Sequence, residues 1–95
     1  MQDWARNRDC IYSEDFTTDL ARLGIDQGHY DSEVAPKVDQ ALYGASDERL
    51  DAEYPATLSG VRMLITVPTQ EIGSLRIAFT VEDDGNILYL RLDAR

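Results

Sequence analysis

The stretch from Val61 to Leu92 constrains the fold of this chain more than any other part of it. It reads VRMLITV, PTQEIG, SLRIAFTV, EDDG and NILYLRL in succession. Three runs rich in β-branched and aromatic residues, divided by turn chemistry, predict a three-stranded antiparallel meander. Side chains of a strand alternate between its faces, so each run divides into two rows. Val61, Met63, Ile65 and Val67 form one row, opposite Arg62, Leu64 and Thr66. Leu75, Ile77, Phe79 and Val81 form a second apolar row, opposite Arg76, Ala78 and Thr80. In the last run Leu88, Leu90 and Leu92 oppose Ile87, Tyr89 and Arg91. One face is thus expected to be almost wholly apolar and to need a cover. The other, carrying Arg62, Arg76, Tyr89 and Arg91, reads as a working surface. Asp83-Asp84-Gly85-Asn86 lies between two strands without the spaced ligands of a calcium loop, and reads as a hairpin turn.

The cover comes from the N-terminal half. Ser13 reads as an N-cap, with Glu14 and Asp15 suited to the positive end of a helix dipole. Phe16, Leu20 and Leu23 recur at helical spacing and Gly24 follows as a stop, which predicts a helix over about 14–23. GIDQGHYDS reads as a loop that includes His29. Val34, Val38, Ala41 and Leu42 mark a second helix, stopped by Gly44. Pro36 is tolerable only in a first turn, so this helix is expected to begin between Ser32 and Ala35. Ser46, Asp47 and Glu48 open a short third helix that Pro55 ends. RDCIYS (8–13) reads as a short leading strand. The fold class is α+β: two N-terminal helices packed on an antiparallel β-meander, as one domain over 1–95.

With 43% hydrophobic residues and no apolar run of bilayer-spanning length, the chain reads as a globular cytoplasmic protein without a signal segment. Cys10 is the single cysteine, and nothing near it in sequence would lower its pKa, so it reads as a small apolar residue. His29 is likewise single, which excludes a zinc-type cluster, and no cofactor motif is present. The net charge of −9 is unevenly spread: residues 1–53 hold 13 acids and 5 bases, whereas residues 54–95 hold 5 acids and 4 bases. An acidic chain is repelled by polyanions at long range, so the sheet half is the part able to meet one.

The pattern F-x-x-D-L-x-x-L-G (Phe16, Asp19, Leu20, Leu23, Gly24), the second helix and then L-S-G-V-R (58–62) resemble the RelE/ParE toxin superfamily. The run GSLRIAFTVEDDGNILYL (73–90) is similar to that family's strand, acidic-Gly turn and apolar last strand. The resemblance covers about residues 10–95 and rests mostly on strand patterning. It implies a toxin of a two-gene toxin–antitoxin module, bound by a cognate antitoxin and acting on messenger RNA at the ribosome or on DNA gyrase. If the chain is an endoribonuclease, Arg62, Arg76 and Tyr89 are the candidate catalytic residues, with Arg91 and Arg95 as RNA-binding ones. The chain departs from the family in its acidity and in lacking a basic or aromatic tail after the last strand.

The chemistry is consistent with that assignment but incomplete. Cleavage through a 2′-hydroxyl needs a base, charge stabilisation at the phosphate and help for the leaving oxygen. The arginines supply charge and Tyr89 could stack on a base or donate a proton. A carboxylate base is not evident, since Glu71 and Glu82 fall at strand ends. The plainer reading is that the arginines solubilise an exposed sheet face. Two alternatives stay open: a non-catalytic protein-interaction module of the same fold, and an acidic immunity-type or inhibitor-type binding protein. A homo-oligomer is open in each case.

Overall fold

A computed structural model of the chain describes residues 9–66, 68 and 73–94. Val67, Glu71 and Arg95 lie outside the described residues. Among these residues four strands and three helices combine as α+β. Strand β1 (Cys10–Tyr12) leads into α1 (Glu14–Arg22); α2 spans 27–42; α3 is Asp47–Glu53; and β2 (Arg62–Ile65), β3 (Leu75–Val81) and β4 (Ile87–Ala94) complete the chain. The sheet runs β1-β4-β3-β2. The meander β2-β3-β4 is antiparallel, and the leading strand joins β4 in parallel, which makes the sheet mixed.

The caps follow the sequence closely. Ser13 Oγ accepts the Phe16 N–H at 3.1 Å, and Ser46 Oγ accepts the Arg49 N–H at 3.1 Å. Glu82 N–H meets the Asn86 carbonyl at 2.8 Å around Gly85, whose φ of 90° suits a residue without Cβ. EDDG is thus the hairpin expected.

The regular α-helix Ala35–Leu42 starts within the expected window, with Pro36 in its first turn, but α2 as a whole runs further back. It begins at Gln27, in what reads as loop, because Asp26 caps it by accepting the Gly28 N–H at 3.1 Å. His29 is therefore helical, and helical backbone precedes the turn that holds Pro36. The accommodation is visible in the backbone. Residues Tyr30–Val34 form a π-helical turn in which the Ala35 N–H reaches back five residues to the Tyr30 carbonyl. A proline ring crowds the carbonyl four residues before it and donates no hydrogen bond; a widened turn immediately upstream absorbs both defects.

One core joins the helices to the sheet. Phe16 and Leu20 of α1, Tyr30, Val34, Val38 and Leu42 of α2, and Leu50 of α3 are buried with Leu64, Leu75, Ile77, Phe79, Ile87, Tyr89 and Leu92. Strand β3 has the inward row expected. Strand β2 is inverted: Leu64 and Thr66 point inward, while Met63 and Ile65 remain 45% and 43% exposed. The register explains it, because Leu64 stands opposite Ile77 and Arg62 opposite Phe79. Both alternation classes of this run contain apolar residues, so patterning alone does not choose between them.

Strand β4 changes class partway. Tyr89 pairs with Phe79 and Arg91 with Ala78, which leaves Leu90 as the extra residue of a β-bulge. Ile87 and Tyr89 therefore face inward before the bulge and Leu92 after it. Leu88 and Leu90, expected in the core, are only half-buried. The revised β2 register has a direct consequence for stability. Leu64→Ala should cost about 2–5 kcal/mol by denaturant unfolding, and Met63→Ala well under half of that, the reverse of what the alternation pattern implies.

Candidate functional site

The expected working face does not assemble as the alternation implied. Arg62 turns inward and is 13% exposed. Its guanidinium donates to the Tyr54 carbonyl at 2.9 Å and to Asp51 Oδ1 at 2.9 Å, tying the end of α3 to β2. Its Nε is buried without a partner. Tyr89 is fully buried on the helix side of the sheet, so it cannot share a face with Arg76. Arg91 lies on the outward side but folds over the sheet edge onto Asp19, at 2.9 and 3.1 Å. Only Arg76 stands on the outward face without an acid partner among the described residues. Arg95 lies outside the described residues.

Asp19 is the residue that sequence reasoning missed, although it stands within the α1 motif. An acid between Phe16 and Leu20 on an apolar helix stripe is the signal that could have found it. Its carboxylate is 3% exposed and accepts the Leu92 N–H at 2.8 Å as well as Arg91. Arg22 donates to it at 3.4 Å and to the Leu92 carbonyl at 3.5 Å. Ser13 adds two further bonds, its N–H to the Tyr89 carbonyl at 3.0 Å and its hydroxyl to the Leu90 carbonyl at 2.8 Å. Strand β1 pairs with β4 only at 87–89. Beyond that point, polar groups of α1 and its cap occupy the β4 edge. This edge is sealed.

Among the described residues the opposite edge is open. Thr66 N–H donates to the Leu75 carbonyl at 2.9 Å, and Leu75 N–H to Thr66 Oγ1 at 2.9 Å. Antiparallel ladders alternate, so the backbone groups of Leu64 and Arg62 also turn toward β3. Those of Met63 and Ile65 turn toward the free edge, where no described residue hydrogen-bonds to them. Their side chains lie on the outward face. On that face the register sets Met63 beside Ala78 and, at the other side of the sheet, Leu88 beside Ile11, itself 48% exposed, with Arg91 and Thr80 between the two apolar pairs. Met63, Arg76, Ala78, Arg91 and Asp93 line a shallow depression on this face. Leu58, in the turn before β2, is fully exposed.

The second polar cluster is internal. Tyr12 stacks on Tyr89 with centroids 4.9 Å apart and meets Phe16 at 5.2 Å and Tyr30 at 6.2 Å. The Cys10 thiol lies 3.7 Å from the Tyr89 hydroxyl and 4.0 Å from Asp39 Oδ1. Burial pushes the Cys10 thiol, the Asp39 carboxyl and the Tyr30 and Tyr89 hydroxyls up, and Tyr12 to about 12. The Tyr30 hydroxyl is buried with no hydrogen-bond partner among the described residues.

Among the described residues no group of acids, His or Cys could hold a metal, and no helix is long and apolar enough to cross a membrane. Comparison with protein-family models, with curated proteins and with solved structures found no match to this chain.

Asp19 makes the sealed edge pH-dependent. The Arg91 guanidinium, with help from the Leu92 N–H and Arg22, outweighs burial and draws its carboxyl from 3.8 to about 2. A carboxyl depressed on folding contributes stability that is present above its unfolded value and lost as pH falls through its folded one. The melting temperature should therefore fall between about pH 4 and pH 2. Asp19→Asn should flatten that segment of the profile. It should also cost about 1–3 kcal/mol at neutral pH, because the Leu92 N–H loses a charged acceptor.

Proposed function

We propose that this chain is a non-catalytic protein-interaction module whose outward sheet face is covered by a partner protein. The observation that supports this reading is the exposure, side by side on the outward sheet face, of Met63 and Ile65, with Arg76 beside them and no acid paired to it among the described residues. Contiguous apolar exposure of this kind marks interaction sites. The remaining polar groups of the expected working face are engaged within the molecule: Arg62 with α3, Tyr89 in the core and Arg91 with Asp19. An antitoxin-like protein is one partner of the required kind.

A RelE/ParE-like, RNA-cleaving toxin is the second reading. It is favoured by the depression that Arg76 shares with the Asp93 carboxylate directly across the ladder, a phosphate-binding cation beside a candidate base. Two measurements separate the readings. Tagged wild-type chain isolated from its native cells should retain a stoichiometric protein partner. Ala78→Glu, which places a charge at the centre of the outward face, should lose that partner while melting normally. Messenger RNA incubated with the purified chain, with or without ribosomes, should remain intact. Cleavage that disappears in Arg76→Ala would establish the toxin reading instead.

A further inference from the structure

The open β2 edge carries an inference that rests on the interaction-module reading and specifies its ligand. We propose that the partner supplies an extended segment that adds to β2 as a fifth strand, apolar at alternate positions, with carboxylate side chains at the end beside Ile65 and Thr66.

The backbone argument comes from the register. Met63 and Ile65 present their N–H and C=O groups to the open edge and their side chains to the outward face. An added strand would satisfy all of these groups, and its own alternate apolar residues would extend the stripe of Met63 and Ile65. Nothing in the residues of β2 blunts the edge. It holds neither proline nor an outward charge, the devices by which edge strands avoid pairing. The contrast with β4 is informative, since there Ser13, Asp19 and Arg22 occupy the corresponding groups.

The charge argument is independent of the backbone. Acids outnumber Lys and Arg by 18 to 9 in this chain, so a base without an acid partner is unexpected. Among the described residues Arg22 and Arg91 meet Asp19, Arg49 meets Glu53 and Arg62 meets Asp51. Lys37 and Arg76 form no ion pair there, and both are exposed; Asp93, directly across the ladder from Arg76, pairs with Arg22 at 3.7 Å. They flank the same end of β2 from opposite faces of the sheet. Arg76 is the cross-strand neighbour of Ile65 on the outward face. Lys37, on α2, lines a cleft of about 190 Å³ with Tyr54, Leu64, Ile65 and Thr66 on the helix side. Side chains of an added strand alternate between those faces, so successive acidic residues at its end would reach Arg76 and Lys37 in turn. A second copy of the chain pairing through β2 answers the backbone argument but brings no acid of its own β2 run to either cation.

The test is selection from a displayed library of random eight-residue peptides on the immobilised full chain, followed by affinity measurement of synthetic hits. Selected peptides should alternate apolar residues and carry Asp or Glu at one end. Lys37→Glu/Arg76→Glu, two exposed substitutions, should weaken those hits by about tenfold or more and select basic ends instead. Met63→Pro, tolerated on an edge strand but lacking the outward N–H, should abolish binding. The Lys/Arg variant stands alone if the proline variant melts abnormally. Hits without acidic ends, hits with helical periodicity or hits indifferent to both variants overturn the strand-addition proposal. If such hits are lost in Ala78→Glu, the module reading survives that result. A chain that selects no peptide overturns the proposal, and one that also retains no partner in its native cells overturns the module reading with it. A concentration-dependent dimer abolished by Met63→Pro would place a second copy on the edge, and that too overturns the proposal.

Discussion

The buried carboxylate of Asp19 is the interaction on which the architecture depends. A helix laid beside a sheet normally contributes an apolar stripe and nothing to the ladder. Here α1 also completes the ladder, because Asp19 accepts the Leu92 N–H where β1 has already ended. The cost of burying a carboxylate is offset by three donors, two of them guanidinium groups whose charge it neutralises. Arg91 is recruited by this arrangement. It reaches from the outward face over the β4 edge to satisfy Asp19.

The two sheet edges are consequently unlike. The β4 edge is occupied by a short parallel strand and then by the side chains and cap of α1. The β2 edge has neither, and apolar side chains accompany its outward backbone groups. Unpaired edges are a hazard for association and are usually blunted by charge, proline or cover. The apolar β2 edge, in a molecule that seals the other with side chains from a neighbouring helix, is the one on which the proposed partner strand would add. The long-range field agrees with that, since the acids concentrate in the helical half and Arg76 stands at the sheet.

The interior carries its own polarity. Tyr12, Tyr30, Tyr89, Cys10 and Asp39 meet where β1, β4 and α2 converge, and burial holds their hydroxyl and thiol groups protonated. Aromatic contacts of Tyr12, Phe16, Tyr30 and Tyr89 anchor the leading strand to the core. This explains why Tyr89 rather than Leu88 or Leu90 turns inward: the ring has partners there, and the leucines gain half-burial on the outward face.

Much of the fold is legible in the amino-acid sequence. Ser13 and Ser46 as caps, the α1 stripe, the EDDG hairpin and the inward row of β3 all follow from short-range chemistry: a hydroxyl within reach of an N–H, a glycine where φ is positive, a period matching the pleat. The candidate site is less legible, and Arg62 and Tyr89 show why. In β2 and β4 both alternation classes are apolar enough to be buried, so local pattern leaves two registers of similar merit. Tertiary partners choose between them: Asp51 and the Tyr54 carbonyl draw Arg62 inward, and Tyr12 and Phe16 draw Tyr89. The π-turn before Pro36 and the reach of Asp19 across the chain to Leu92 belong to the same class. By itself, the sequence determined most of the helices, strands and turns, because those depend on neighbours a few residues apart. Which face each arginine occupies, and which sheet edge stays open, only the tertiary structure decided, because those depend on groups brought together from distant positions to satisfy buried charge and unpaired backbone.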